Sequence, residues 1–89
     1  MCIRDRYYNL GVLRSQDGRT GDAATCYEKA IWCDPDYVNA IYNLGVLRLK
    51  VGKLNEAANL FRRVLELMPT HEGAEGNLSQ LLEFHSELA

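Results

Sequence analysis

The chain has 89 residues, enough for one small domain. Ten basic and twelve acidic residues intermix to a net charge of -2, and hydrophobic residues make up 47% of the total. That balance argues against a disordered segment, no basic stripe points to nucleic acid, and no apolar run is long enough to span a membrane. The elements are helical throughout. Residues 1–6, MCIRDR, have no apolar core behind them and form no secretory signal. They read as a non-native leader joined to a pattern that begins at Tyr7, with the repeat frame starting near residue 4. A helix is expected over Arg4–Gln16, and Asp17-Gly18 is a strong turn signal. A second helix is expected from about 22 to 33, ending at Asp34-Pro35. The third carries Tyr42, Leu44, Val46, Leu47 and Leu49 and breaks at Gly52. The fourth, Leu54–Leu67, places Ala57, Ala58, Phe61, Val64 and Leu65 at spacings of three and four, as an amphipathic helix requires. Pro69 stops it, because proline lacks the backbone donor and restricts Met68 before it. A last helix is expected over 72–89.

These elements repeat. A shift of 34 residues lays YYNLGVLR at 7–14 on IYNLGVLR at 41–48, with only the first residue different. The same shift lays Gly18 on Gly52, Ala23 on Ala57, Tyr27 on Phe61, Ala30 on Val64 and Pro35 on Pro69. A further step carries Asn43-Leu44 to Asn77-Leu78. A period of this length marks a stacked array, in which each unit is one supersecondary element that cannot bury its apolar face alone. The expected units are a first hairpin at 7–37, a second at 38–71, and a first or capping helix of a third at 72–89.

Glycine inside a helix costs about 1 kcal/mol against alanine. Gly11 and Gly45 therefore imply a close approach within each hairpin. The expected partners are Ala23 and Ala57, with Tyr27 or Phe61 filling the space beside them. In the last helix Leu78, Leu81, Leu82, His85 and Leu88 form one apolar stripe, expected to pack on Leu54–Leu67. Phe84 and the leucines call for a further partner, either the next helix of a longer array or a second copy that self-associates through this end helix.

Nothing in the chain assembles a reaction centre. No serine or cysteine nucleophile stands near a histidine, and there is no phosphate loop and no HExxH motif. Cys26 and Cys33 lie two helical turns apart, too far for a disulfide, and read as small apolar side chains. Cys2 adds no framework. His71 falls in a turn and His85 on an apolar stripe. No enzyme activity, cofactor or metal is expected.

The placement of Leu10, Gly11, Ala23, Tyr27, Ala30 and Pro35, and of Leu44, Gly45, Ala57, Phe61 and Pro69, resembles the tetratricopeptide repeat (TPR) family. Tyr7 and Ile41 stand where that family often has tryptophan, and Arg14 and Arg48 where it often has tyrosine. Val64 replaces a small alanine, and Ser79 a glycine. The resemblance implies an all-α fold, a right-handed α-solenoid of antiparallel helical hairpins with about five helices. It further implies that the first helix of each hairpin lines a concave groove for an extended peptide.

Projected onto this chain, that groove contains Asp5, Tyr8, Asn9, Val12 and Gln16. Asn39, Tyr42, Asn43, Val46, Leu49 and Lys50 follow, then Gly76, Asn77, Gln80 and Phe84. The recurrent Asn9, Asn43 and Asn77 present a row of carboxamides, each with donors and an acceptor. Such a row can bond a peptide main chain with little regard for its side chains, or it can bond across to the neighbouring helix of its own solenoid. Tyr8 and Tyr42 can pack on ligand side chains or between hairpins. One subset of the family clamps a C-terminal carboxylate with lysine, asparagine and arginine. Tyr8 and Val12 stand at two of those places, so the clamp is not expected. The asparagine row is similar to that in the solenoid of protein O-GlcNAc transferases. The expected function is an adaptor or scaffold that binds a protein or peptide partner. The alternative is a structural section of a longer array attached to a catalytic domain, for example a glycosyltransferase, or to a membrane domain outside this chain. The expected location is the cytoplasm.

Overall fold

The computed structural model describes residues 4–88, with side chains described for 5–83. Five helices run in order: α1 (Arg4–Gln16), α2 (Thr20–Cys33), α3 (Val38–Lys50), α4 (Leu54–Leu67) and α5 (Glu72–Leu88). No strand occurs among the described residues. α1 packs on α2 and α3 on α4 as antiparallel hairpins, and α3 and α5 lean on the hairpin before them. The molecule is an α-solenoid.

The turns inside the two hairpins are built alike. The Gly18 amide donates to the Ser15 carbonyl, and the Arg19 amide to the Arg14 carbonyl. The Gly52 amide donates to Leu49 and the Lys53 amide to Arg48, the same pattern one period later. This is a Schellman ending, and it needs a residue in the left-handed region. Gly18 and Gly52 supply it, with φ of 80° and 84°. α2 begins at Thr20, earlier than the apolar pattern suggests, because the Arg19 carbonyl already accepts from the Ala23 amide. Between hairpins, Asp34 and Met68 end their helices on the Ala30 and Val64 carbonyls, and the prolines at 35 and 69 follow.

The core has two parts joined through α3. Ala23, Ala24, Tyr27 and Ala30 of α2 meet Ala40, Leu44 and Leu47 of α3. Ile41 of α3 meets Ala57, Phe61 and Val64 of α4, with Ala74 and Leu81 of α5. No polar or charged residue is buried among the described residues. α3 is thus covered by α2 on one side and by its own partner α4 on the other, whereas α1 has only α2 as a major packing partner among the described residues.

The glycines do a different job from the one expected. A Cβ built on Gly11 would lie 2.6 Å from Tyr27 Cε1, and one on Gly45 would lie 2.9 Å from Phe61 Cε1. The nearest atoms in both cases belong to the aromatic ring, not to Ala23 or Ala57. The ring lies against the glycine backbone because it is wide and must reach the middle of the facing helix. The alanines are fully buried, but they serve the packing around that contact.

Arg48 ties the hairpins from outside. Its guanidinium pairs with Glu28 of α2 and with Glu56 of α4. Leu81 is buried and Leu78 half-buried against the rest of the stack, but Leu82 faces outward. Leu82 follows Leu81 directly and so points about 100° around the helix, off the stripe. The side chains of Phe84, His85 and Leu88 lie outside the described residues, as do residues 1–3 with Cys2. No helix among the described residues is long and apolar enough to cross a membrane.

Candidate functional site

The first helices of successive hairpins carry YNLG at the same place, and the repeat sets these side chains in equivalent positions. Tyr8 lies between Tyr27 and Tyr37, with ring centroids 5.9 and 5.4 Å away. One period on, Tyr42 lies between Phe61 and His71, at 5.8 and 4.6 Å. Its hydroxyl sits over Gly73 of α5, where a Cβ would come within 2.7 Å. The tyrosines therefore pack between hairpins, the second of the two roles open to them. The His71 ring also caps the start of α5, because its Nδ1 accepts from the Ala74 amide.

Each tyrosine hydroxyl meets the asparagine of the following hairpin. Asn43 Nδ2 donates to the Tyr8 hydroxyl at 3.2 Å and reaches the Tyr27 hydroxyl at 3.5 Å. Asn77 Nδ2 donates to the Tyr42 hydroxyl at 3.3 Å. Asn9 is exposed, and no tyrosine of an earlier repeat meets it among the described residues. The row of three carboxamides is thus two anchored rungs and one bare one. In each anchored rung the donor side is engaged within the solenoid and the carbonyl oxygen is the group left to accept. Burial raises the Tyr27 hydroxyl above its usual range, against the opposing pull of the Asn43 bond. It therefore stays protonated at neutral pH.

Two cavities open beside these rungs. The first, about 200 Å³, is lined by Val12, Ser15 and Gln16 of α1, Tyr27 of α2, and Asn43, Val46, Leu47 and Lys50 of α3. The second, about 220 Å³, is lined by Leu49, Leu54, Asn77, Gln80 and Leu81. A shift of 34 turns Ser15, Asn43, Val46 and Leu47 into Leu49, Asn77, Gln80 and Leu81. The cavities are therefore the same feature in successive repeats. The structure brings Val12, Asn43, Val46 and Lys50 into one wall, and places Asn77 one step along. Tyr8 and Tyr42 stand behind the asparagines rather than in the cavity walls. Asp5 and Asn39 line a separate recess of about 370 Å³ with Asp36, Tyr37, Val38 and Met68. Asp5 there accepts from the Tyr37 hydroxyl. Tyr27 and Leu54 escaped the groove projection because it followed first helices alone and the second helices close the floor, whereas Ser15, Leu47 and Leu81 lie on the followed helices but one position off the projected face.

The electrostatics are spare. Lys50 makes no ion pair among the described residues, although it shares a cavity wall with Asn43. The arginines nearby are committed elsewhere, Arg48 to Glu28 and Glu56 and Arg63 to Asp36 and Glu66. Trp32 projects from α2, 83% exposed. Cys26 is buried and Cys33 half-buried, and neither forms a disulfide among the described residues.

Two family models match the sequence: TPR repeat over residues 14–52 and Tetratricopeptide repeat over residues 38–71. No curated protein sequence matches it. Among solved structures, the first TPR of Spaghetti (RPAP3) bound to HSP90 peptide SRMEEVD is similar with a TM-score of 0.89 and 23% identity. The match covers 94% of this chain and 67% of that one. The second TPR domain of human RPAP3, in complex with HSP70 peptide SGPTIEEVD, is 29% identical with a TM-score of 0.83. There the match covers 90% of this chain and 67% of that one. MamA is similar with a TM-score of 0.91 and 20% identity over 96% of this chain, which spans half the length of that protein.

Proposed function

The chain belongs to the tetratricopeptide repeat family, and from that premise we propose that it is a protein-interaction module whose groove takes an extended segment of a partner, as an adaptor or scaffold. The observation that carries this reading is the pair of repeat-equivalent cavities, each with an asparagine held at its wall. A tyrosine behind each asparagine fixes the carboxamide before a ligand arrives, which lowers the ordering cost of binding. The free carbonyl can then accept a main-chain amide from the ligand.

Two of the similar RPAP3 domains are bound to peptides ending in EEVD. A segment so rich in carboxylates would find a single unpaired cation, Lys50, along the described cavities of this chain. Tyr8 and Val12 stand where the carboxylate-clamping subset has lysine and asparagine. We therefore propose a partner segment with fewer charges than those tails, met by a cytoplasmic chain without catalytic activity of its own. The tyrosine–asparagine bonds also favour a second reading, in which the row couples hairpin to hairpin within a longer array that serves a catalytic or membrane domain.

Affinity for a degenerate decapeptide library, measured with Asn43→Ala and with wild type, separates these readings. The groove reading expects a loss of about tenfold, near the 1.4 kcal/mol of one good hydrogen bond. Unchanged peptide affinity together with a lower melting temperature assigns the asparagine to the solenoid alone.

A further inference from the structure

We propose that the groove reads its ligand in a fixed register: the first cavity takes a side-chain carboxylate beside Lys50, and the second takes an aliphatic side chain. This inference rests on the groove reading above and adds the ligand's chemistry.

The two cavities are equivalent positions of successive repeats. Each is about 200 Å³ in size, and each has an asparagine in its wall. An engineered apolar cavity of about 150 Å³ holds benzene, so each has room for one side chain. What the two share, the anchored carboxamide, suits the main chain that every peptide has. What differs between them must then select side chains.

Most of the differences run in one direction, with Gln80 in place of Val46 the exception. The first cavity has Ser15, Gln16 and Lys50 around its mouth. The second has Leu49 where the first has Ser15, and adds Leu54. Leu81 closes it where Leu47 closes the first. Lys50 is exposed and has no carboxylate partner among the described residues. A lone ammonium beside two neutral hydrogen-bonding side chains complements a carboxylate. A wall of three leucines complements an aliphatic group and would strand a charge without a partner. One repeat of travel along the groove thus changes the preferred side chain from acidic to aliphatic. The order of the two sites is fixed by the solenoid, so a ligand with the same residues at another spacing cannot fill both.

The test uses the full chain and C-terminally amidated decapeptides, so that every carboxylate is a side chain. One position is fixed as glutamate and leucine is walked one to five residues to either side of it. Fluorescence polarisation reads the affinity. One spacing is expected to bind about tenfold tighter than the rest. Lys50→Met should abolish the preference for glutamate over glutamine and keep that for leucine. Leu49→Ser, which gives the second cavity the residue of the first, should do the reverse. Both side chains are at least partly exposed, and circular dichroism confirms the variants' folding. Binding with no preferred spacing, or preferences unmoved by either variant, overturns the register and leaves the groove reading standing. No binding by any peptide overturns both.

Discussion

The two hairpins begin with nearly the same eight residues, yet those residues live in different surroundings. Leu44 is 5% exposed and Leu47 3%, while their counterparts Leu10 and Leu13 are 37% and 57% exposed. Inside each hairpin the match is close: Gly11 faces Tyr27 as Gly45 faces Phe61, and Gly18 and Gly52 make the same turn. The difference lies wholly between hairpins. α3 has α2 behind it, and α1 has no equivalent helix among the described residues. The repeat sequence thus encodes a hairpin with two faces, and the neighbour decides whether the second face becomes core. Local instructions are intrinsic to the unit, and burial belongs to the stack.

Truncating the paired leucines should separate the two hairpins most. Leu47→Ala should destabilise by about 2–5 kcal/mol, the range for a buried leucine. Leu13→Ala should stay within about 0.5 kcal/mol, as an exposed position does. Urea unfolding of both variants checks this, and equal losses would mean that the stack does not set burial.

The glycines give the opposite pattern, because their contact lies within a hairpin. Gly11→Leu and Gly45→Leu should each cost about 1–3 kcal/mol or somewhat more, by driving a side chain into the aromatic ring. Similar melting-point losses in the two variants sharpen the comparison. A normal melting curve for Gly45→Leu would remove the contact altogether.

Smaller effects come from the links between units. Tyr42→Phe keeps the ring packing and deletes the hydroxyl that Asn77 meets, for a loss of about 1 kcal/mol. Arg48→Ala removes two partly exposed ion pairs and should cost at most about 1 kcal/mol, less at high salt.

The least effect at neutral pH belongs to Tyr27→Phe, which copies Phe61 into the first hairpin. Burial raises the Tyr27 hydroxyl, so above about pH 10 the unfolded chain gives up this proton before the folded chain does. The tyrosine's contribution is complete below that pH and is lost as pH rises through the folded value. Thermal melts from pH 8 to 11 should show a shallower alkaline decline for Tyr27→Phe than for wild type.

Most of the fold was legible in the sequence because the repeat is written in residues that act locally. Gly18, Gly52, Pro35 and Pro69 mark the breaks between helices, and α1 and α4 begin and end where the pattern put them, although α2 starts two residues early. The glycine's partner was not legible, since spacing reveals that something comes close but not whether it is a methyl group or a ring. The groove was legible in part. Asn43, Val46 and Lys50 share a face of α3 by helical spacing alone, and Val12 is the repeat counterpart of Val46 on α1. That Asn43 is held by Tyr8, 35 residues earlier, depends on how far one hairpin leans on the next, and no local pattern carries that angle. Arg48 as a bridge was hidden for the same reason.

Ligand should enter between the anchored asparagines rather than on the outer surface. Nitrogen-15 spectra resolve the side-chain amides of Asn43 and Asn77 and the indole of Trp32, which projects from α2. Titration with the tightest decapeptide should shift both asparagine signals and leave the Trp32 indole in place. A moving indole with stationary asparagine signals would place the ligand on the outer surface instead.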